Sequence, residues 1–308
     1  MTVVSVPRVD WAEGIADLPG LTVTVWDLSG PPPRDDIEVL VPPYEVSSRR
    51  LAVLRNLKSL KAIQLPTAGF EHALPHLPEG VVLANAKGVH DTSTAELALT
   101  LALAAQRGIP QAVRAQDRGE WEHLAWQPSL ADRKVLVVGY GSIGRAIVRR
   151  LLPFEVEVTV CASSAREGDD LVDRVHAVSE LPDLLPEAEI VILIVPLTDA
   201  TRRLVDADFL ARMPRNALLV NVARGGVVDT EALVEACASG RVRAALDVTD
   251  PEPLPAGHPL MSCPGVLITG HVGGATSAFS PRLVRLLREQ LTRYAETGAL
   301  EHVVATGS

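Results

Sequence analysis

The chain has 308 residues, a formal net charge of −9, 47% hydrophobic residues and three cysteines. The acidic balance argues against nucleic acid or an anionic membrane surface as a partner. The length exceeds one average domain, so two are expected. Cys161, Cys237 and Cys263 are odd in number and lack metal or redox spacing, so they read as reduced, mostly buried thiols of a cytoplasmic protein, with no metal site. The first residues, MTVVSVPRVDW, lack the basic and apolar regions of a secretory signal. The longest helical apolar run, Leu97 to Ala105, is too short to span a bilayer.

Residues 1 to about 93 alternate short apolar runs with polar helical stretches. The runs Val3–Val6, Leu21–Trp26, Ile37–Val41, Ala62–Leu65 and Val81–Ala84 predict the strands of a small parallel α/β unit. Pro31-Pro32-Pro33 and Pro42-Pro43 read as turns after strands. Thr67-Ala68-Gly69 follows the fourth run at its carboxyl end, where open α/β sheets bind ligands. The backbone N–H groups of Ala68 and Gly69 suit a carboxylate; the alternative is an ordinary strand-ending turn. Ser93-Thr94-Ala95-Glu96 is a capping box and predicts a helix to about Arg107. That helix is apolar nearly all round, so it is expected to be buried, between domains or in a subunit interface. The polar stretch from Gln106 to Asp132 links to the second domain. Its Trp121 and Trp126 mark either an interface or packing against the same chain.

Lys134 to Arg150, KVLVVGYGSIGRAIVRR, organises the second domain. Val135–Val138 suits a strand buried on both faces. Gly139, Gly141 and Gly144 come next with G-x-G-x-x-G spacing, and Ile143, Ile147, Val148 and Leu151 then recur at helical spacing. Gly139 serves the tight turn, Gly141 close approach of a pyrophosphate, and Gly144 helix–strand packing. Ser142 and Ile143 open the helix, whose free N–H groups and dipole attract phosphates. A glycine-rich turn after a strand and before a helix reads as a dinucleotide site. Further strands are expected at Val156–Cys161, Val175–Val178, Ile190–Val195, Ala217–Val222, Ala244–Val248 and Val266–Thr269, giving a doubly wound parallel sheet. Pro281–Ala295 reads as an amphipathic helix returning to the first domain, and the tail from Leu300 is short. The expected division is 1–93 with 278–308, and 94–277.

The second strand of the nucleotide unit ends at Cys161-Ala162, where an acidic residue usually binds the ribose of NAD. Here Ser163, Ser164 and Arg166 follow, with no carboxylate before Glu167. They suit a 2′-phosphate, so NADP(H) is favoured over NAD(H). The alternative is relaxed NAD binding with a solvated Arg166.

Three polar residues follow successive strands. Arg224, in Asn221-Val222-Ala223-Arg224-Gly225-Gly226, suits a bidentate grip on a carboxylate. Glu252 lies between Pro251 and Pro253 after Asp247. His271 precedes Gly273-Gly274; His258, before Pro259, reads as structural. Singly each is bland. Together they supply a proton donor, its carboxylate partner and a fixed cation, which reduction of a ketone by hydride requires.

These segments, LVVGYGSIG, VPLTDATRRLVDADFLARMPRNALLVNVARGGVVDTEAL, ALDVTDPEPLPAGHPL and ITGHVGGAT, resemble the D-isomer-specific 2-hydroxyacid dehydrogenase family. The resemblance covers nearly the whole chain, most tightly Ser129 to Thr276. It implies two doubly wound parallel-sheet domains, a Rossmann cofactor domain inserted in a smaller flavodoxin-like substrate domain. It implies that Arg224 binds the substrate carboxylate and keto group, His271 is the acid/base and Glu252 its partner. Asp247 would contact the nicotinamide carboxamide, and Ala68 and Gly69 would bind the substrate carboxylate. Pro196, Thr198, Thr201, Val222, Ala223 and Gly273 would line the cofactor pocket. A homodimer packed through its cofactor domains is also implied, with a 2-keto acid such as glyoxylate or hydroxypyruvate as substrate, or one bearing a phosphate or phosphonate. Gly270 stands where the family often has proline before the histidine, and the usual acidic ribose ligand is absent. No regulatory domain is seen, which weighs against an allosteric phosphoglycerate dehydrogenase. The rival expectations are a nucleotide-sensing, corepressor-like binding protein on the same fold, and oxidation of formate or phosphite.

Overall fold

The computed structural model describes residues 1–44 and 46–307. The chain forms two compact units, Met1–His90 with Thr276–Ser308, and Asp91–Ala275. The expected borders were 93/94 and 277/278.

The smaller unit holds β1 (Thr2–Val6), β2 (Leu21–Val25), β3 (Val39–Leu40), β4 (Ala62–Gln64), β5 (Val82–Ala84) and β14 (Val303–Thr306). The order is β14-β5-β4-β3-β1-β2. The first five strands are parallel in the flavodoxin-like order 2-1-3-4-5, and β14 joins β5 antiparallel. Alternation along β1 sends Val4 and Val6 to one face and Val3 to the other. On the first face Leu283, Leu287 and Leu291 of the helix Phe279–Thr297 pack against Trp11, Ile15 and Val39. Each of these leucines is fully buried, stabilising the unit by about 2 kcal/mol. That helix runs beyond the expected Pro281–Ala295 at both ends. The tail after Leu300 carries β14, a strand that the sequence pattern does not predict. Its four residues are half-buried or exposed, so no apolar run marks them.

The larger unit holds β6 (Lys134–Val138), β7 (Glu157–Ala162), β8 (Arg166–Glu167), β9 (Arg174–Ala177), β10 (Ile190–Leu193), β11 (Ala217–Asn221), β12 (Val242–Leu246) and β13 (Val266–Ile268). The order is β13-β12-β11-β10-β6-β7-β9-β8, parallel except for β8, which forms an antiparallel hairpin with β9. Without β8 this is the Rossmann order 3-2-1-4-5-6 with one strand added. Strand order reverses between β6 and β10, which pair directly. Both faces are covered: Val135 and Val137 enter one core, Leu136 and Val138 the other, which explains the continuous apolar run.

The register places the strand ends in one row. Cys161 pairs with Val138, Val138 with Leu193, Leu193 with Asn221, Asn221 with Leu246, and Leu246 with Ile268. The residues just past this row are Ala162, Gly139, Ile194, Val222, Asp247 and Thr269, so their loops leave the sheet along one edge.

The helix predicted from Ser93 begins at Asp91 and ends at Gln106. Ser93 and Thr94 are buried within its first turns rather than capping it, and Asp91 supplies the acidic residue at the positive end of the dipole. The helix packs on the Ser142–Leu151 helix and on β11 and β12. No helix among the described residues is long and apolar enough to cross a membrane, and no group of three metal-ligating side chains occurs among them.

Candidate active site

The glycine turn after β6 divides its labour. Gly139 has φ of 110°, and a Cβ there would meet the Ile194 carbonyl oxygen at 2.4 Å. A Cβ on Gly144 would meet the Gly139 oxygen at 2.1 Å. These two glycines are required by packing. A Cβ on Gly141 would meet nothing within 4 Å, so this position opens on space a ligand can use. The helix Ser142–Leu151 starts there, and its first N–H groups, including those of Ser142 and Ile143, have no intrahelical acceptor. Open space before a positive helix end fits the pyrophosphate of a dinucleotide. The Ser142 hydroxyl donates to Asp91 at 3.2 Å.

Past β10, Pro196 and Thr198 are exposed. The Thr201 hydroxyl donates to the Pro196 carbonyl at 2.6 Å and accepts from the Thr198 N–H at 2.8 Å. Thr201 therefore fixes the loop's shape.

Past β11, Val222 and Ala223 are buried. Asn221, 1% exposed, accepts from the Ala223 N–H at 3.0 Å and donates to the Arg224 carbonyl at 3.2 Å. A Cβ on Gly225 would strike the Thr249 carbonyl oxygen at 1.9 Å, so the backbone after Arg224 runs tightly against the next loop. The Arg224 guanidinium donates to the Ala223 carbonyl at 2.6 Å, and among the described residues it pairs with no carboxylate. Its remaining donors suit an incoming carboxylate.

Asp247, just past β12, is 3% exposed. Its carboxylate accepts from Thr269 Oγ1 at 2.7 Å, Val272 N–H at 2.8 Å and Gly273 N–H at 3.0 Å. Its carbonyl accepts from the His271 N–H at 2.8 Å. Asp247 thus clasps the loop on both sides of His271. That matters because His271 has φ of 55°, a left-handed conformation costing a side-chain-bearing residue roughly 1–2 kcal/mol. The His271 Nδ1–H donates to Glu252 Oε1 at 2.6 Å. A carboxylate can only accept, so this bond fixes the ring and leaves Nε2 for proton exchange. The structure therefore brings Glu252 and His271 together, on the sheet edge that also carries Arg224.

Past β7, Ser163, Ser164 and Arg166 are all exposed. Arg166 Nη2 donates to the Tyr140 carbonyl at 2.9 Å, and its guanidinium lies 5.9 Å from the Tyr140 ring centre. It lines a cleft of about 170 Å³ with Tyr140, Gly141, Ser142, Arg145 and Asp169. The Tyr140 hydroxyl donates to both oxygens of Asp169, at 2.9 and 3.1 Å, and Arg145 Nε donates to it at 2.8 Å. Arg145 also donates to Asp170. The Arg145 bond foremost, then the Leu171 N–H, hold the Asp169 carboxyl down at about 2. Burial foremost, then the bond to Asp169, pushes the Tyr140 phenol up to about 12.

In the smaller unit the loop after β4 turns its carbonyls inward. Thr67 O accepts from the Ala86 N–H, Ala68 O from Asn85 Nδ2 and Gly69 O from Thr67 Oγ1. The amides of Ala68 and Gly69 have no partner among the described residues, so the loop keeps two donors for an anion.

Sequence reasoning missed Asn221 as the brace of the arginine loop, Asp247 as the clasp of the histidine loop, and the Tyr140–Arg145–Asp169 group. A buried asparagine ending a strand was the available signal for the first; nothing local marks the others. His258 matches the bland reading, accepting through Nδ1 from the Leu260 N–H at 3.3 Å to cap a short helix. Burial pushes the Cys161 and Cys237 thiols up to about 12, which keeps both protonated near neutral pH.

A Rossmann sheet with a hydrogen-bonded histidine–glutamate pair on the edge that also carries an arginine without a carboxylate partner among the described residues is the arrangement of a nicotinamide-dependent dehydrogenase. Comparison with known proteins narrows the class. The family model for the D-isomer specific 2-hydroxyacid dehydrogenase NAD binding domain matches residues 99–273. The mouse glyoxylate reductase/hydroxypyruvate reductase is 33% identical over 284 residues, covering 86% of this chain and 86% of that protein. A D-isomer specific 2-hydroxyacid dehydrogenase from Xanthobacter autotrophicus, solved with NADPH and MES, superposes with a TM-score of 0.82 at 29% identity, over 99% of this chain and 98% of that one. An NADPH-dependent glyoxylate/hydroxypyruvate reductase from Sinorhizobium meliloti, solved with NADP and sulfate, superposes with a TM-score of 0.82 at 26% identity, with the same coverage. The chain belongs to the D-isomer specific 2-hydroxyacid dehydrogenase family.

Proposed function

We propose that this protein reduces a small 2-keto acid, of the glyoxylate or hydroxypyruvate kind, to the D-2-hydroxy acid, with NADPH favoured over NADH. The observation that carries the proposal is the 2.6 Å bond between His271 Nδ1 and Glu252, on the same sheet edge as the unpaired Arg224. The reduced nicotinamide, when bound, supplies the hydride. His271 delivers a proton from Nε2 to the developing alkoxide, and Glu252 stabilises the ring while it is charged. Arg224 grips the substrate carboxylate and polarises the keto oxygen. In the smaller unit, taken as the substrate domain, the amides of Ala68 and Gly69 are donors suited to a carboxylate. Gly139, Gly141, Ser142, Ile143 and Gly144 cradle the pyrophosphate. Pro196, Thr198, Thr201, Val222, Ala223 and Gly273 wall the nicotinamide side, where Asp247 meets the carboxamide. Ser163, Ser164 and Arg166 take the 2′-phosphate. The two solved relatives with NADP or NADPH support this cofactor choice.

The protein is further proposed to act in the cytoplasm as a homodimer. Ile109 and Val113 stand one turn apart on the exposed face of the Ile109–Asp117 helix, and Trp121 and Trp126 are 97% and 102% exposed. So much unburied apolar surface in one stretch favours an interface over packing within the chain. The corepressor-like reading draws no support from the mouse, Xanthobacter and Sinorhizobium relatives, which are enzymes.

The test is loss of reduced-nicotinamide absorbance with NADPH and NADH across a panel of 2-keto acids, with formate and phosphite tried as hydride donors to NAD(P)+. Turnover of one keto acid, abolished in His271→Ala, supports the proposal. Cofactor binding without turnover of any acid overturns it.

A further inference from the structure

The acidic residue that usually binds the ribose hydroxyls is absent at the end of β7, where Ala162 stands. The β8–β9 hairpin returns two carboxylates to the same neighbourhood. Its turn is tight: Gly168 N–H donates to Asp173 O at 3.0 Å and Asp169 N–H to Val172 O at 2.9 Å. A Cβ on Gly168 would meet the Val172 oxygen at 1.8 Å, so the backbone leaves Asp169 and Asp170 little choice of position. Asp169 lines the cleft beside Gly141 and Ser142, and both acids take hydrogen bonds from Arg145, which projects from the helix that begins at Ser142.

We propose that Asp169 and Asp170 limit this protein's preference for NADP(H) by holding Arg145, so that a 2′-phosphate must draw that guanidinium away from them. The proposal rests on the reading that the larger unit binds NADP(H). Around the cleft, Arg145 and Arg166 stand against Glu167, Asp169 and Asp170, two positive charges against three negative. Such a cleft does not attract a dianion by its net charge. Arg166 is committed to the Tyr140 carbonyl and stacks on its ring but has no acidic partner among the described residues, so it is the standing donor to the phosphate. Arg145 is the held one. Without a 2′-phosphate, Asp169 is an acceptor for ribose hydroxyls, which is the role of the missing carboxylate. The same hairpin therefore works for NAD(H) and against NADP(H), and cofactor choice is the balance of the two.

Calorimetric titration of the whole protein with adenosine 2′,5′-bisphosphate and with 5′-AMP tests this, because the two differ only in the 2′-phosphate. Asp170→Asn is the cleaner variant: the side chain is exposed and its only described side-chain contact is Arg145. Asp169→Asn is the second, at the risk of loosening the hairpin. Removing one carboxylate a few ångströms from a dianion is expected to tighten the bisphosphate roughly tenfold, with 5′-AMP unchanged in Asp170→Asn and bound more weakly in Asp169→Asn. Arg145→Gln should weaken the bisphosphate and erase the gain of Asp170→Asn in the double variant. If both acid variants bind the bisphosphate no more tightly than the parent while the parent binds it well, the restraint on Arg145 is overturned and the NADP(H) reading stands. If none of the proteins binds either nucleotide, the cofactor reading itself is overturned.

Discussion

Asp169 and Tyr140 form a pair whose titration reports on the hairpin. The Asp169 carboxyl ionises at about 2, below the usual value of about 4 for an aspartate. A carboxyl lowered on folding stabilises the fold above its unfolded value and loses that contribution as pH falls through its folded value. Asp169 should therefore contribute fully above about pH 4, and the contribution should fade toward pH 2. Denaturant unfolding of Asp169→Asn across that window should show a shallower pH dependence than the parent. Tyr140 behaves oppositely. Its phenol is raised from about 10 to about 12, so its contribution is complete below 10 and lost as pH climbs through 12. In Tyr140→Phe the alkaline loss of stability should shrink. At the proposed catalytic pair, His271→Ala removes the proposed proton donor and should lower kcat by roughly 10²–10⁴-fold. Glu252→Gln keeps a hydrogen-bond acceptor but not the charge, and should lower kcat with little change in cofactor affinity. Arg224→Lys loses the planar fork and should raise KM for the keto acid with NADPH binding intact. Steady-state kinetics with separate cofactor titrations distinguishes these outcomes.

The elements hold their places by backbone contacts. The β6 turn and the Ser142–Leu151 helix meet through Gly139 and Gly144, and the β11 loop meets the β12 loop through Gly225. Gly144→Ala forces a methyl to 2.1 Å from the Gly139 oxygen. Backbone must move, at a cost of about 1–3 kcal/mol, and the turn proposed to cradle the pyrophosphate opens with it. The variant should lose both thermal stability and nucleotide affinity. Gly141→Ala is the contrast. A Cβ there meets nothing within 4 Å, so the fold should keep its melting temperature while the dinucleotide binds more weakly. Calorimetric melting and cofactor titration of the two variants test this split. In the smaller unit, Leu287→Ala empties a fully buried position under the sheet and should cost about 2–5 kcal/mol.

At the scale of the whole molecule, each sheet carries its candidate site residues at the carboxyl ends of its strands, where doubly wound sheets bind ligands. The net charge of −9 sets the average field of the molecule against polyanions, so on the proposed function an anionic substrate depends on single residues such as Arg224. The exposed Trp121 and Trp126 are the feature a lone chain does not explain. Replacing both with serine and Val113 with lysine should shift sedimentation equilibrium from dimer to monomer. A parent protein that is monomeric at all concentrations would refute the homodimer.

Among the described residues the sequence by itself marked twelve of the fourteen strands and the glycine turn, and it singled out Arg224, Glu252 and His271 as the proposed catalytic set. These are written locally, as apolar runs closed by turn residues and as motifs a few residues long. What it missed is non-local. β14 has no apolar run of its own and exists because β5 offers an open edge. The capping box at Ser93 is a local signal that the structure places inside the helix, which starts at Asp91. Asp247 and Gly273 lie 26 residues apart, and Arg145 and Asp169 lie 24 apart. Only the register of the sheet and the tight turn of a hairpin bring such pairs within hydrogen-bond reach. The tertiary structure alone therefore decided which carboxylate holds the histidine loop, which one lines the cleft beside Gly141 and Ser142, and that both tryptophans face outward.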